Sequence, residues 1–132
     1  MSEALFRMVC VPGALAGAPD GWSAALMRDG ELALRADASG LDGIDAVAHA
    51  LGLGTVSLVR SEPTPAQQDE TVMAYAAALP LVWLDAAFSD PVRRWAHDRG
   101  PMTLLVEVDG ALPDDERRRV ERFVSLLGRQ TE

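Results

Sequence analysis

Leu81-Val82-Trp83-Leu84-Asp85 runs into Ser89-Asp90-Pro91 and Arg93-Arg94. Twenty-four positions on, Leu105-Val106-Glu107-Val108-Asp109 runs into Pro113-Asp114-Asp115 and Arg117-Arg118. Each copy reads as a buried strand with an Asp at its carboxyl end, then a turn, an acidic helix start and a basic next turn. Consecutive β-α units of this kind imply a parallel sheet with helices packed on it. Internal duplication and convergence both account for the likeness, since buried strands favour Leu and Val and helix starts favour Asp.

Working back towards the amino terminus, Thr64-Pro65-Ala66-Gln67 is a helix start: Thr caps, Pro takes the first position and Gln completes a capping box. That helix is expected to run to about Ala78, with Val72, Tyr75, Ala76 and Leu79 inward, until Pro80 breaks it. Thr55 to Arg60 is a β-branched strand. Asp42 to Leu51 places Ile44, Val47, Ala48 and Leu51 on one helical stripe. Ala4 to Val11 reads as a first strand, apolar on both faces. Trp22 to Met27 and Glu31 to Ala36 flank Asp29-Gly30, the pattern of an antiparallel hairpin turning on a glycine. Towards the carboxyl terminus, Val92, Trp95 and Ala96 stripe one helix. Val120, Phe123, Val124 and Leu127 stripe the last, which Gly128 is expected to end. The expectation is one α/β domain over residues 1–132, with a mixed sheet: an N-terminal antiparallel hairpin beside C-terminal parallel β-α units.

At 132 residues and 48% hydrophobic content, the chain can bury a core without disulfides or a structural metal. Acidic residues outnumber basic ones 20 to 12, for a net charge of −8. That balance opposes nucleic-acid binding, which rests on clustered Lys and Arg; Arg117-Arg118-Arg119 reads as a solvated helix face. Every basic residue is Arg, which excludes lysine Schiff-base chemistry and a phosphate-loop lysine. The absence of Lys and Asn, with abundant Ala, Gly and Arg, fits the coding bias of a GC-rich bacterium. The single cysteine, Cys10, forms no internal disulfide, and the start lacks a secretory signal pattern. No apolar run is long enough to span a bilayer. A cytoplasmic protein that binds neither membrane nor nucleic acid is expected.

Chemistry converges on the strand ends. Asp85 and Asp109 fall at the sheet edge where α/β proteins bind ligands. On neighbouring strands their backbones would lie about 5 Å apart, close enough to share a Mg²⁺ or Mn²⁺ ion or to act as acid and base. Glu62 and Ser61, just past the strand 55–60, join them as ligand-binding candidates. Turn-capping is the competing account of both aspartates. Glu107 interrupts an apolar strand, so it pairs with an Arg or acts as a functional acid. His49 and His97 have no metal-ligand spacing, and Cys10 falls in a buried strand. Two functions follow. One is a small non-catalytic binding or accessory domain, homodimeric through an exposed Trp22 and the hairpin at 22–36, or docked on a protein partner. The other is a divalent-metal-assisted hydrolase or lyase acting on a small molecule.

Overall fold

The computed structural model of the chain describes residues 5–15, 22, 30–35, 49, 57–59 and 62–130. Among the described residues, five strands, β1 (Phe6–Cys10), β2 (Gly30–Leu34), β3 (Ser57–Leu58), β4 (Leu81–Asp85) and β5 (Thr103–Glu107), form one sheet in the order β3-β2-β1-β4-β5. Every pairing is parallel. Among the described residues, three α-helices have their full bounds: α1 (Pro65–Ala76), α2 (Asp90–Arg99) and α3 (Asp114–Gln130). The helix expected over residues 42–51 lies outside the described residues apart from His49, which is helical and exposed.

The antiparallel hairpin expected over residues 22–36 is not found. Residues 30–34 run parallel to β1, with Phe6 opposite Gly30 and Cys10 opposite Leu34, and Trp22 is helical. Gly30 serves packing rather than a turn: a Cβ there would fall 2.5 Å from Phe6 Cζ, so the ring occupies the space a side chain would need. Because β2 lies between β3 and β1, residues 30–34 offer no open edge to a second copy.

Alternation along the strands divides the core in two. On one face Phe6, Met8, Leu32, Leu34, Val82, Leu84 and Val106 pack against Val120 and Leu127 of α3. Trp22 packs on this face too, and its indole N–H donates to Glu121 Oε1 at 2.7 Å. On the other face Val9, Ala33, Leu81 and Trp83 pack against Val72 and Ala76 of α1 and Val92 of α2. The two β-α units read from sequence therefore send their helices to opposite faces. The ladder offset between their strands is also 22, with Asp85 opposite Glu107, not the 24 of the sequence likeness.

Helix ends follow local chemistry. Thr64 Oγ1 accepts the Gln67 N–H at 3.2 Å to cap α1, and Ser89 Oγ accepts the Val92 N–H to cap α2. The capping box at α1 is incomplete: Gln67 Oε1 accepts from the Thr64 hydroxyl rather than from the cap backbone. α3 continues through Gly128, because a helical glycine weakens a helix without obliging it to stop. Among the described residues, no helix is long and apolar enough to cross a membrane.

α1 and α2 end in the same backbone conformation. Gly100, after α2, has φ 65° and ψ −133°; Ala77, after α1, has φ 50° and ψ −127°. The second position strains any residue with a Cβ. Arg99 holds the strained turn in place: its guanidinium donates to the Ala77 and Leu79 carbonyls and to Thr103 Oγ1, and lies 4.6 Å over the Trp95 ring. Relief of this strain is expected to make Ala77→Gly more stable than the parent by about 1 kcal/mol, net of the extra entropy of glycine. Urea unfolding checks it, and an unchanged or lowered midpoint would show that Ala77 is at ease.

Candidate functional site

The order β3-β2-β1-β4-β5 reverses the direction of winding between β1 and β4. Doubly wound sheets open a crevice at the carboxyl ends of the two strands flanking such a reversal, because the chains leaving them depart to opposite sides. Arg35 follows directly on β2, and its N–H donates to the Cys10 carbonyl at 2.9 Å, fixing it beside the end of β1. Asp85 closes β4. Their side chains form an ion pair that passes across the end of β1, the strand between them. Both side chains are about one-quarter exposed. Alternation with Ala33 and Trp83 puts the pair on the α1–α2 face of the sheet.

Asp85 is anchored further. Its Oδ1 accepts the Ala86 N–H at 2.7 Å, and its carbonyl accepts the Val108 N–H at 2.9 Å. On the α3 side the same edge is closed by protein. A single 3₁₀ turn, Pro12–Leu15, follows β1, and the Ala14 carbonyl accepts the Leu112 N–H at 3.1 Å, tying it to the loop after β5. Ala14, Leu15 and Leu112 are buried there.

The candidate residues separate. Asp85 and Glu107 are direct neighbours in the ladder, but their carboxylates go to different arginines: Glu107 pairs with Arg93 of α2, whose Nε also donates to the Phe88 carbonyl. Asp109 lies beyond the end of β5 in an exposed turn, followed by Gly110 at φ 87°. Glu62 turns towards α1, where its Oε1 accepts from the Thr71 hydroxyl at 2.9 Å and its N–H donates to Gln68 Oε1. Glu62 lines a groove there of about 370 Å³ with Gln67, Glu70 and Thr71. Ser61 lies outside the described residues. Among the described residues, no three His, Cys, Asp or Glu side chains gather in a way that would hold a metal ion. His97 is exposed in the last turn of α2. Cys10 is fully buried, and burial pushes its thiol up to about 12, far from a nucleophilic thiolate at neutral pH.

Arg35 is the residue that sequence reasoning missed. Reading Glu31 to Ala36 as the second arm of a hairpin hid it; a parallel strand ending at Leu34 delivers it to the carboxyl edge. No protein-family model, curated protein or solved structure matches the chain. Geometry alone therefore carries the functional reading.

Proposed function

We propose that this chain is a small non-catalytic binding domain, acting in the cytoplasm, that takes a small polar molecule over the end of β1 between Arg35 and Asp85. The observation that carries this reading is the position of that ion pair at the reversal of winding. A ligand entering there meets a planar guanidinium suited to a carboxylate or phosphate and a carboxylate suited to a hydrogen-bond donor. The ligand class is thus a molecule carrying an anionic group and an N–H or O–H donor, which opens the pair and replaces each partner. Metal-assisted hydrolysis is less well supported. It needs a second carboxylate beside Asp85, and the neighbouring one, Glu107, is turned to Arg93.

The test is a thermal-melt panel of amino acids, nucleotides, organic acids, Mg²⁺ and Mn²⁺ on the parent, Arg35→Gln and Asp85→Asn. A ligand at a hundredfold its Kd is expected to stabilise the parent by about 2.7 kcal/mol, and neither variant is expected to respond. Loss of the pair alone is expected to lower stability by only about 1 kcal/mol. A panel with no responding compound, or a response that survives in both variants, would remove this site from consideration.

A further inference from the structure

β5 ends the sheet, and among the described residues no strand pairs with its outer side. The Val108 N–H points inward to the Asp85 carbonyl. Alternation therefore turns the main-chain groups of Thr103, Leu105 and Glu107 outward. The Thr103 N–H is already taken by the Gly100 carbonyl. Among the described residues nothing takes the N–H groups of Leu105 and Glu107 or the carbonyls of Thr103, Leu105 and Glu107, which face outward for a new strand. The edge is apolar as well. Val82 and Trp83 are fully buried, yet their ladder partners Leu104 and Leu105 are only half-buried, one on each face of the sheet.

We propose that β5 pairs antiparallel with β5 of a second copy, about a two-fold axis at Leu105, joining two sheets into one. In this register the Leu105 N–H donates to the carbonyl of the partner subunit's Leu105. The Glu107 N–H donates to the carbonyl of the partner subunit's Thr103. Symmetry repeats both bonds.

Charge selects this register. Thr103, Leu105 and Glu107 share one face, and Arg99 Nη1 donates to Thr103 Oγ1 at 2.9 Å. The partner's Glu107, directly opposite Thr103 and held by Arg93 of its own subunit, therefore comes within reach of a second positive charge, that of Arg99. At a hydrogen-bonded antiparallel pair the two Cα atoms lie about 5.5 Å apart, within reach of both side chains. Sliding the axis to Glu107 would instead set two carboxylates face to face, which is unfavourable. A charged edge residue that commonly blocks strand addition here blocks the wrong registers and favours one. The apolar Leu104 and Leu105 surfaces are covered at the same time.

Sedimentation equilibrium of the full chain across a concentration series tests the proposal, beside Glu107→Pro and Glu107→Arg. Proline removes an outward N–H that the subunit itself does not use, which an edge strand tolerates. Arginine keeps that N–H and reverses the charge facing Arg99. The parent is expected to reach twice the 14.1 kDa chain mass, Glu107→Pro to stay at the chain mass, and Glu107→Arg to dissociate at higher concentration than the parent. Amide exchange at Leu105 and Glu107 should slow as the dimer fills. A parent monomeric throughout would overturn the proposal. So would a dimer that survives both substitutions, or one whose Leu105 and Glu107 amides exchange freely.

Discussion

Gly30→Val is expected to lower the unfolding free energy by about 3 kcal/mol, and Gly30→Ala by about 1–2 kcal/mol, as overpacking in a closed core does. A Cβ at position 30 would stand 2.5, 2.7 and 2.9 Å from three atoms of the Phe6 ring, all inside van der Waals contact. The end of an exposed ring would swing aside. Phe6 is fully buried in the cluster with Met8, Leu32 and Val82, so its ring moves only if the core moves with it. The backbone contributes nothing to this cost, because Gly30 sits in an ordinary extended strand. A double-mutant cycle separates the terms: Phe6→Leu is expected to destabilise the parent but to be tolerated far better in the Gly30→Ala background. The coupling should be at least about 1 kcal/mol, typical of residues in direct contact. Additive effects in urea unfolding would mean that ring and glycine do not compete for one space.

The same glycine explains what could and could not be read from the chain. Strong local signals came through: β1, α1 with its Thr64-Pro65 start, β4, α2 and β5 appear where periodicity and capping place them. Asp29-Gly30 between two apolar runs did not. A glycine cleared for an aromatic ring from a distant strand leaves the same local trace as one chosen for a turn. Only the partner, twenty-four residues earlier, distinguishes the two, and no local pattern names it. The expected hairpin also concealed the interior position of β2, between β3 and β1.

The site was legible to the same depth. Asp85 lies at the carboxyl edge as its place after an apolar strand implies. Asp109 does not share that place, because the sequence likeness aligns it with Asp85 whereas the ladder aligns Glu107. The segment from Val108 to Pro113, longer than the link before α2, carries the chain over to the opposite face, and Asp109 goes with it into a turn. Glu107 pairs with Arg93, one of the two roles that its place in an apolar strand left open. Arg35 could be recognised only once strand order was known, because its significance comes from lying across β1 from Asp85.

Trp83→Ala is expected to cost about 3–5 kcal/mol, the range for emptying a buried aromatic site, whereas Trp83→Phe should cost less than about 2 kcal/mol. Volume alone would make the second change worse than that. Trp83 is fully buried, and its Nε1–H has no acceptor among the described residues. An unpaired buried donor costs about 1–3 kcal/mol; phenylalanine removes that penalty and so offsets part of the lost packing. The edge-to-face contact with Phe88, at 5.3 Å between ring centres, is the interaction that distinguishes the two variants. Phenylalanine keeps an aromatic ring there and alanine does not. That contact matters beyond stability. Phe88 precedes the Ser89 cap of α2, and its carbonyl accepts from Arg93, which in turn holds Glu107. Asp85 leaves the same strand two residues after Trp83. The indole thus braces the start of α2 against the strand that delivers the candidate site. If so, Trp83→Ala, assayed where it is still folded, should weaken binding of any ligand that depends on Asp85, while Trp83→Phe leaves it nearly unchanged. Equal urea midpoints for the two variants would show that ring packing at this position contributes little.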